Sequence, residues 1–381
     1  MDISTLIAIL AFMIPIVVGL FQYRQSVQQN QDKNFREEIV KLTSKEREER
    51  LAAATNMGTF IVKGNRFYEE VVTILVNRAS VELDYNVLSA MVGSLRRVDR
   101  GEYRGIIQNL VDIERSFFIQ KYPLKKWRDQ TDVNLKKVQT EFKKIEDAHK
   151  TNGLEYEKVM LDNLNKEIQL KWVDFLFHEK NFNELEMHSQ AIGDFISTFL
   201  GVVTKSFPIS GLEFNKNSLN NTIMEDISLI KSNFKASAFS STQILQCRFD
   251  ESSFINTVFT YSPLMSTSFR NCKLFSVLWD YTNLTDVDFS GSEFDDNFFM
   301  GADLTRANFR KTKGLKPVFF YLARNVDKAH FDGNFGKEIQ SQLLQMTQAQ
   351  FEDYAFKCNI TKQRRDALFF SLDDLAPKKS T

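Results

Sequence analysis

Cysteine is scarce: Cys247, Cys272 and Cys358 are the only three in 381 residues. An odd, widely spaced set argues against a disulfide framework and fits a reducing compartment. Proline is nearly as rare, and none falls between Pro15 and Pro123, which suits long helices. Neither sign of charge is in excess. The 49 basic residues balance 49 acidic ones, so no large non-specific attraction to nucleic acid or anionic lipid is expected. Tryptophan occurs three times against 35 phenylalanines, a skew that the repeat described below absorbs. With 43% hydrophobic and 26% charged residues, the chain has the composition of a folded protein.

Signatures of catalysis are also lacking. There is no G-x-S-x-G, and "GNFGKE" at Gly333–Glu338 has neither the spacing nor the Ser/Thr of a phosphate loop. His178 beside Glu179, and His188 near Glu184, lack the second histidine that a zinc-binding helix would supply, and read as solvated helix faces. Arg324 and His330 are spaced as in some ribonucleases, but His330 falls in a degraded part of the repeat. Cys247 and Cys272 sit at small inward repeat positions and read as core. The reading is a non-enzyme with no cofactor and no metal.

What is present begins with residues 3–21, "ISTLIAILAFMIPIVVGLF", an uncharged and mostly apolar run. As a helix it would span about 28 Å, close to the hydrocarbon core of a bilayer. A cleaved signal peptide would want a basic start, a shorter run and a small-x-small site; here the start carries Asp2 and polar residues follow. Residues 1–23 are therefore expected to be a single-pass anchor in the inner (plasma) membrane. The nearest basic residues, Arg24, Lys33 and Arg36, all follow the run, which puts the amino terminus outside and the bulk of the chain in the cytoplasm. Ser4, Ala8, Ala11, Pro15 and Gly19 form one small-residue stripe along this helix. Such a stripe permits close helix approach and homo-oligomerisation, although small residues are common in membrane helices anyway.

Residues 24–56 are expected to be a charged helical stalk. Residues 32–50 hold twelve charges of balanced sign around a short stripe of Phe35, Ile39 and Leu42. Residues 57–207 show apolar residues at helical spacing, as in Ile106, Ile107, Leu110, Val111, Phe117 and Phe118, or Ile192, Phe195, Ile196, Phe199, Leu200 and Val203. Five or six packed helices are expected there, with breaks at Gly101, Tyr122-Pro123 and Asn152-Gly153.

From Phe214 the period changes to five. Every fifth position from 214 to 309 is apolar, twenty in twenty, and sixteen of the residues two places earlier are Ala, Ser, Thr, Cys or Val. Residues 212–311 carry 21 charged side chains, none at either position type. Two inward positions in five, one large and one small, is a solenoid pattern. "ADLTR", "ANFRK", "TNLTD", "SNFKA" and "SSFIN" resemble the pentapeptide repeat family. The resemblance implies a right-handed, four-sided β-helix in which four pentapeptides make one coil. A twenty-residue coil would sort the inward residues into four columns. One, Met224, Ile244, Leu264, Leu284 and Leu304, is wholly aliphatic, and the other three are mostly aromatic. Such sorting is what stacked, interdigitated layers require.

The expected fold class is thus α + β-solenoid: a transmembrane helix, an α-helical domain, a β-helix over 208–333 and C-terminal capping helices and tail over 334–381. Val326 and Phe331 are expected inward in a shifted register. Ile339, Leu343 and Met346, then Phe351, Tyr354, Ala355 and Cys358, are expected on the caps.

Between 274 and 305 the only charges are Asp280, Asp286, Asp288, Glu293, Asp295, Asp296 and Asp303, all at positions expected to face outward. They form a candidate partner-binding acidic face, or simply a solvated one. Three functions are open. The first is a membrane-anchored scaffold displaying the solenoid to an unknown protein partner. The second is a DNA-mimicking topoisomerase binder, which some members of the family imply, with no direct contact to nucleic acid. The third is a membrane effector in bacterial stress or phage defence.

Overall fold

The computed structural model describes the backbone of residues 3–152, 155–205 and 208–344. Within that range, the side chains of residues 3–16, 122, 148, 149, 151, 152, 155–159, 162, 343 and 344 lie outside the description. Two compact units emerge, residues 1–77 with 84–99, and residues 78–83 with 100–381. The division differs from the one expected, which kept 57–207 together.

In the first unit, α1 (Ile3–Leu42), α2 (Arg47–Met57), α3 (Tyr68–Ala79) and α4 (Tyr85–Leu95) follow one another. Residues 24–42 do not form a free stalk. Phe35 and Leu42 are buried with Ala53, Ala54, Met57, Val71, Leu75, Met91 and Leu95. The Phe35 ring stacks on Phe67 at 4.2 Å and meets Phe60 edge-on at 5.2 Å. Three apolar residues in a charged run were enough, because they repeat at helical spacing and find a facing core. Residues 3–21 lie in α1. Among the described residues, no helix is long and apolar enough to cross a membrane.

The second unit opens with two long helices, α5 (Tyr103–Asn152) and α6 (Glu155–Val203), packed as a hairpin. Their facing residues keep a heptad spacing. On α5 these are Leu124, Arg128, Thr131, Leu135, Val138, Phe142 and Ile145; on α6 they run through Leu164, Ile168, Phe175, Phe182, Leu185 and Ile192. The break expected at Tyr122-Pro123 does not occur, since Pro123 sits inside α5. An interior proline costs about 3 kcal/mol, and two continuous seams of packed side chains offset it.

The β-helix follows. Its strands are two or three residues long: β1 (Ile209–Ser210), β2 (Ile223–Glu225), β3 (Leu229–Ile230), β4 (Gln243–Leu245), β5 (Ser253–Ile255), β6 (Lys273–Phe275) and β7 (Glu293–Asp295). All pair in parallel with a partner twenty residues away, as in Phe254, Leu274 and Phe294. Single bridges at the same offset fill the other sides, Glu213 to Asn233, Ser218 to Ala238 and Ser228 to Arg248. One coil is therefore four pentapeptides. The columns stack accordingly: Phe249, Phe269, Phe289 and Phe309 at 5.0–5.5 Å, and Phe259 on Trp279 at 4.7 Å with 4° between planes.

The small inward position has a second use beyond making room. Its hydroxyl or thiol donates to the carbonyl 23 residues earlier, on the coil below. Thr257 Oγ1 reaches Phe234 O at 2.7 Å, Ser292 Oγ reaches Phe269 O at 2.5 Å, and Cys272 Sγ reaches Phe249 O at 3.1 Å. Burial pushes the Cys247 and Cys272 thiols up to about 12, so both stay protonated donors. Asn297, an exception to the small-residue rule, donates to Leu274 O at 2.6 Å and accepts from Trp279 Nε1 at 3.1 Å. It thereby satisfies the one polar atom of the largest buried ring.

Each repeat turns through a left-handed residue, from Lys216 to Lys311 at every fifth position. Only two of these twenty are glycine, Gly291 and Gly301, so positive φ alone does not demand glycine here. At Gly301 the cause is close approach: a Cβ would lie 2.5 Å from Tyr281 Cδ1.

After 313 the offset grows. Arg324 pairs with Asp303 and His330 with Asn308. Phe320 still stacks on Phe299, and Phe331 on Phe309 as expected, while Val326 lies half-buried in a short 3-10 turn. The helix α7 (Phe335–Leu344) closes this end with Ile339 fully buried and Phe335 against Phe331 and Phe320. The capping residues expected at Met346, Phe351, Tyr354, Ala355 and Cys358 lie outside the described residues.

Candidate interaction surfaces

The first coil of a β-helix has no coil before it. In the body, the residue ahead of each large inward one donates its N–H 21 residues back, as Asn233 does to Leu212 O. At Glu213 and Ser218 there is nothing to receive it, and an open edge invites foreign strands. Side chains from the base of the hairpin take the place of the missing coil. Gln108 pairs with Glu213 in both directions, accepting its N–H at 3.0 Å and donating to its carbonyl at 3.2 Å. Arg104 donates to Gly211 O at 2.7 Å, and Arg115 to Glu213 O at 2.7 Å and Asn215 O at 2.6 Å. Gly193 lets α6 lie close, since a Cβ there would stand 3.3 Å from Thr222.

Glu114 completes this junction from a fully buried position. Its carboxylate accepts from Ser218 N at 3.0 Å, Asn217 Nδ2 at 2.7 Å and Ser189 Oγ at 2.8 Å. Burial pushes its pKa up to about 7, against the opposing pull of those donors and of Lys121. No sequence signal marked Glu114. Its only trace is an acidic residue on the otherwise apolar face between Val111 and Phe118.

The seven acidic residues do not share a face. Asp303 lies on the side of the Met224 column, Asp288 on that of Leu229 and Glu293 on that of Phe214. Asp295 ends β7 on the Phe214 side beside Glu293, and Asp280, Asp286 and Asp296 fall at three different turns between sides. Asp280 is buried rather than outward. Asp286 receives a bidentate pair from Arg306 at 2.6 Å, which holds its carboxyl below the usual range. Asp288 accepts from Ser290 N and Asn308 Nδ2, and Asp303 from Thr305 and Asn325. Lys316 stands 3.9 Å from Asp295. An unmarked carboxylate, Asp250, gathers Arg248, Ser268 and Arg270 around it.

Exposed apolar residues do converge. Among the described residues of the β-helix, the large exposed ones are Ile223, Tyr261, Met265, Tyr281 and Leu322. All lie on the side of the Met224 column or on the turn leading into it. Tyr261 and Tyr281 stack at 5.2 Å with 7° between planes.

Other sequence candidates are dispersed. Arg324 and His330 bridge different sides. His178 faces Asp174 at 3.3 Å rather than Glu179, and His188 stacks on Phe117. Among the described residues no group of three His, Cys, Asp or Glu could hold a metal ion. The side chains of Ser4, Ala8 and Ala11 lie outside the described residues, and Gly19 has no atom within 4 Å of where its Cβ would be.

Parallel coils of twenty residues with two inward positions in five define a four-sided β-solenoid. Residues 282–313 match the family model described as pentapeptide repeats (8 copies), and the same twenty-residue coil extends to earlier residues of the β-helix. Among solved structures, the chain is similar to a pentapeptide repeat protein from the Arabidopsis thaliana thylakoid lumen (18% identity, 37% of this chain, 89% of that one, TM-score 0.18). It is also similar to full-length QnrB1, a plasmid-mediated fluoroquinolone resistance protein (13%, 36%, 88%, 0.17). A third is HetL, a pentapeptide repeat protein involved in heterocyst differentiation regulation in a Nostoc cyanobacterium (16%, 31%, 57%, 0.14). Similarity this low transfers none of their roles. No curated protein sequence matches the chain.

Proposed function

We propose that the chain is a non-enzymatic scaffold whose pentapeptide-repeat solenoid presents one side to a protein partner. The observation that carries this reading is the convergence of Ile223, Tyr261, Met265, Tyr281 and Leu322 on one side and its turn, while the other exposed positions are polar. Large apolar residues gathered on one face mark docking surfaces, and tyrosine is favoured there for its rigid, amphipathic ring. The partner engages this side through apolar side chains of its own, and Asp303 on the same side supplies a polar rim. The dispersal of the acidic residues over several sides and turns, with Asp286 paired to Arg306 and Asp288 to Asn308, favours this reading over mimicry of DNA, which needs a continuous row of free negative charge. The uncharged run of residues 3–21 supports a membrane anchor with the solenoid on the cytoplasmic side.

A photocrosslinking residue placed at Tyr281 in the full-length chain should give a protein adduct in cells, and one at Lys273, on the Phe214 side, should not. Adducts of equal yield at both positions, or none at either, would overturn the docking reading. The anchor is checked separately by deleting residues 3–21. The shortened chain should leave the membrane fraction, and retention there would rule the anchor out.

A further inference from the structure

The hairpin is buried unevenly. At its base α6 hides Ile192, Phe195, Ile196, Phe199, Leu200 and Val203. Farther out the same helix exposes Leu170, Val173, Leu176, Phe177 and Met187, each more than half accessible. These are not seam residues, because the seam with α5 runs through Ile168, Phe175, Phe182 and Leu185 on the opposite face. Lys166, Leu170, Val173, Phe177, Lys180, Glu184 and Met187 follow one another at steps of four and three. All seven are exposed and lie in one stripe.

We propose that this stripe is the contact between two copies of the chain, with the two α6 helices packed antiparallel about a two-fold axis level with residue 175. Charge selects that partner and direction. About this axis Lys166 of each copy meets Glu184 of the other, Val173 meets Phe177, and the Lys180 stem covers Leu170. A parallel arrangement would set Lys166 against Lys166 and Glu184 against Glu184. A two-fold contact is self-complementary by construction, and this stripe has that property. An anionic membrane surface fits less well, since residues 155–190 carry eight acidic and four basic side chains. The stripe is about 32 Å long, and one helix-wide contact of that length buries roughly 600 Å² in all. Stable interfaces begin near twice that. The dimer is therefore reversible, and tethering on a membrane would raise its occupancy by raising local concentration.

Sedimentation velocity of the full-length chain in detergent, from low to high micromolar concentration, tests this. Wild type should move from monomer to dimer. K166E and E184K should each weaken the dimer about tenfold or more, by setting two pairs of like charges together. The double swap K166E/E184K should restore it, and V173D should abolish it. All three positions are exposed, so thermal unfolding of the monomer should not change. A wild type that stays monomeric, a dimer indifferent to V173D, or failure of the double swap to rescue would each overturn the proposal. Self-association through the small-residue stripe of residues 4–19 would appear as indifference to all four variants.

Discussion

The β-helix and the helical hairpin are both long, regular and built on a repeating apolar pattern, yet the two patterns mean different things. In the β-helix, position within five residues settles everything. One residue fills the core, one makes room and donates to the coil below, one turns left-handed, and two face out. In the hairpin the heptad settles only which residues face the other helix. Whether the opposite face is covered depends on where along its length the helix lies. At the base α6 packs on the first coil as well as on α5, with Gly193 against Thr222; farther out, the face away from α5 is apolar and open. A five-residue repeat closes on itself, whereas a heptad leaves a second face to be explained.

The largest effect should come from breaking a stack in the β-helix. Phe269 is fully buried between Phe249 and Phe289 with Trp279 at its edge. Phe269→Ala should cost about 3–5 kcal/mol in urea unfolding, since no neighbour can move into the space. An equally drastic truncation on the open face of the hairpin, Phe177→Ala, should cost the monomer less than about 1 kcal/mol. If the two losses were similar, the contrast between a closed and an open pattern would fail.

The junction of the two regions should show in pH dependence. Folded Glu114 titrates near 7 against an ordinary 4.5. Between those values the folded chain keeps a proton that the unfolded chain has released. Its contribution is therefore fully present below about pH 4.5 and is lost as pH rises through 7, by roughly 3 kcal/mol. Glu114→Gln should flatten that slope, because an amide can still accept from Ser218 N and Asn217 while donating to Ser189. Urea midpoints at pH 5 and pH 8 measure it, and an unchanged slope in the variant would assign the pH dependence elsewhere.

Asn297→Ala should follow, at about 1–3 kcal/mol, by leaving Trp279 Nε1 and Leu274 O without their partner in the core. Thermal unfolding should then show a loss well above that of Ala302→Ser at an equivalent small position. The smallest effect is expected at the outer surface. Arg306→Ala removes a bidentate pair with Asp286, but both side chains are about half exposed, so the cost should stay below about 1 kcal/mol. A larger loss would mean that outward charges hold the coils together as firmly as the inward hydroxyls do.

The β-helix was legible from its residues because its period of five matches neither helix nor strand. All twenty large inward residues could be placed without knowing any contact. The hairpin was half legible: its stripes were visible, but the expected break at Pro123 was not there, because local propensity yields to tertiary packing. The charged run of residues 32–50 was misjudged for the same reason, since Phe35 and Leu42 found a core. The acidic cluster was misread for a different reason. A window of 32 residues showed no basic partner, while the coil placed Arg306 beside Asp286 from twenty residues away.

By itself, the sequence determined the period, the four columns and the polar small positions, because those are rules each repeat obeys alone. Only the tertiary structure decided which outward residues meet and how the open edge is closed. Gln108, Glu114 and Arg115 reach Glu213, Ser218 and Asn215 from about a hundred residues away. Such contacts follow no period, because each is set by where two separately built elements come to rest against each other.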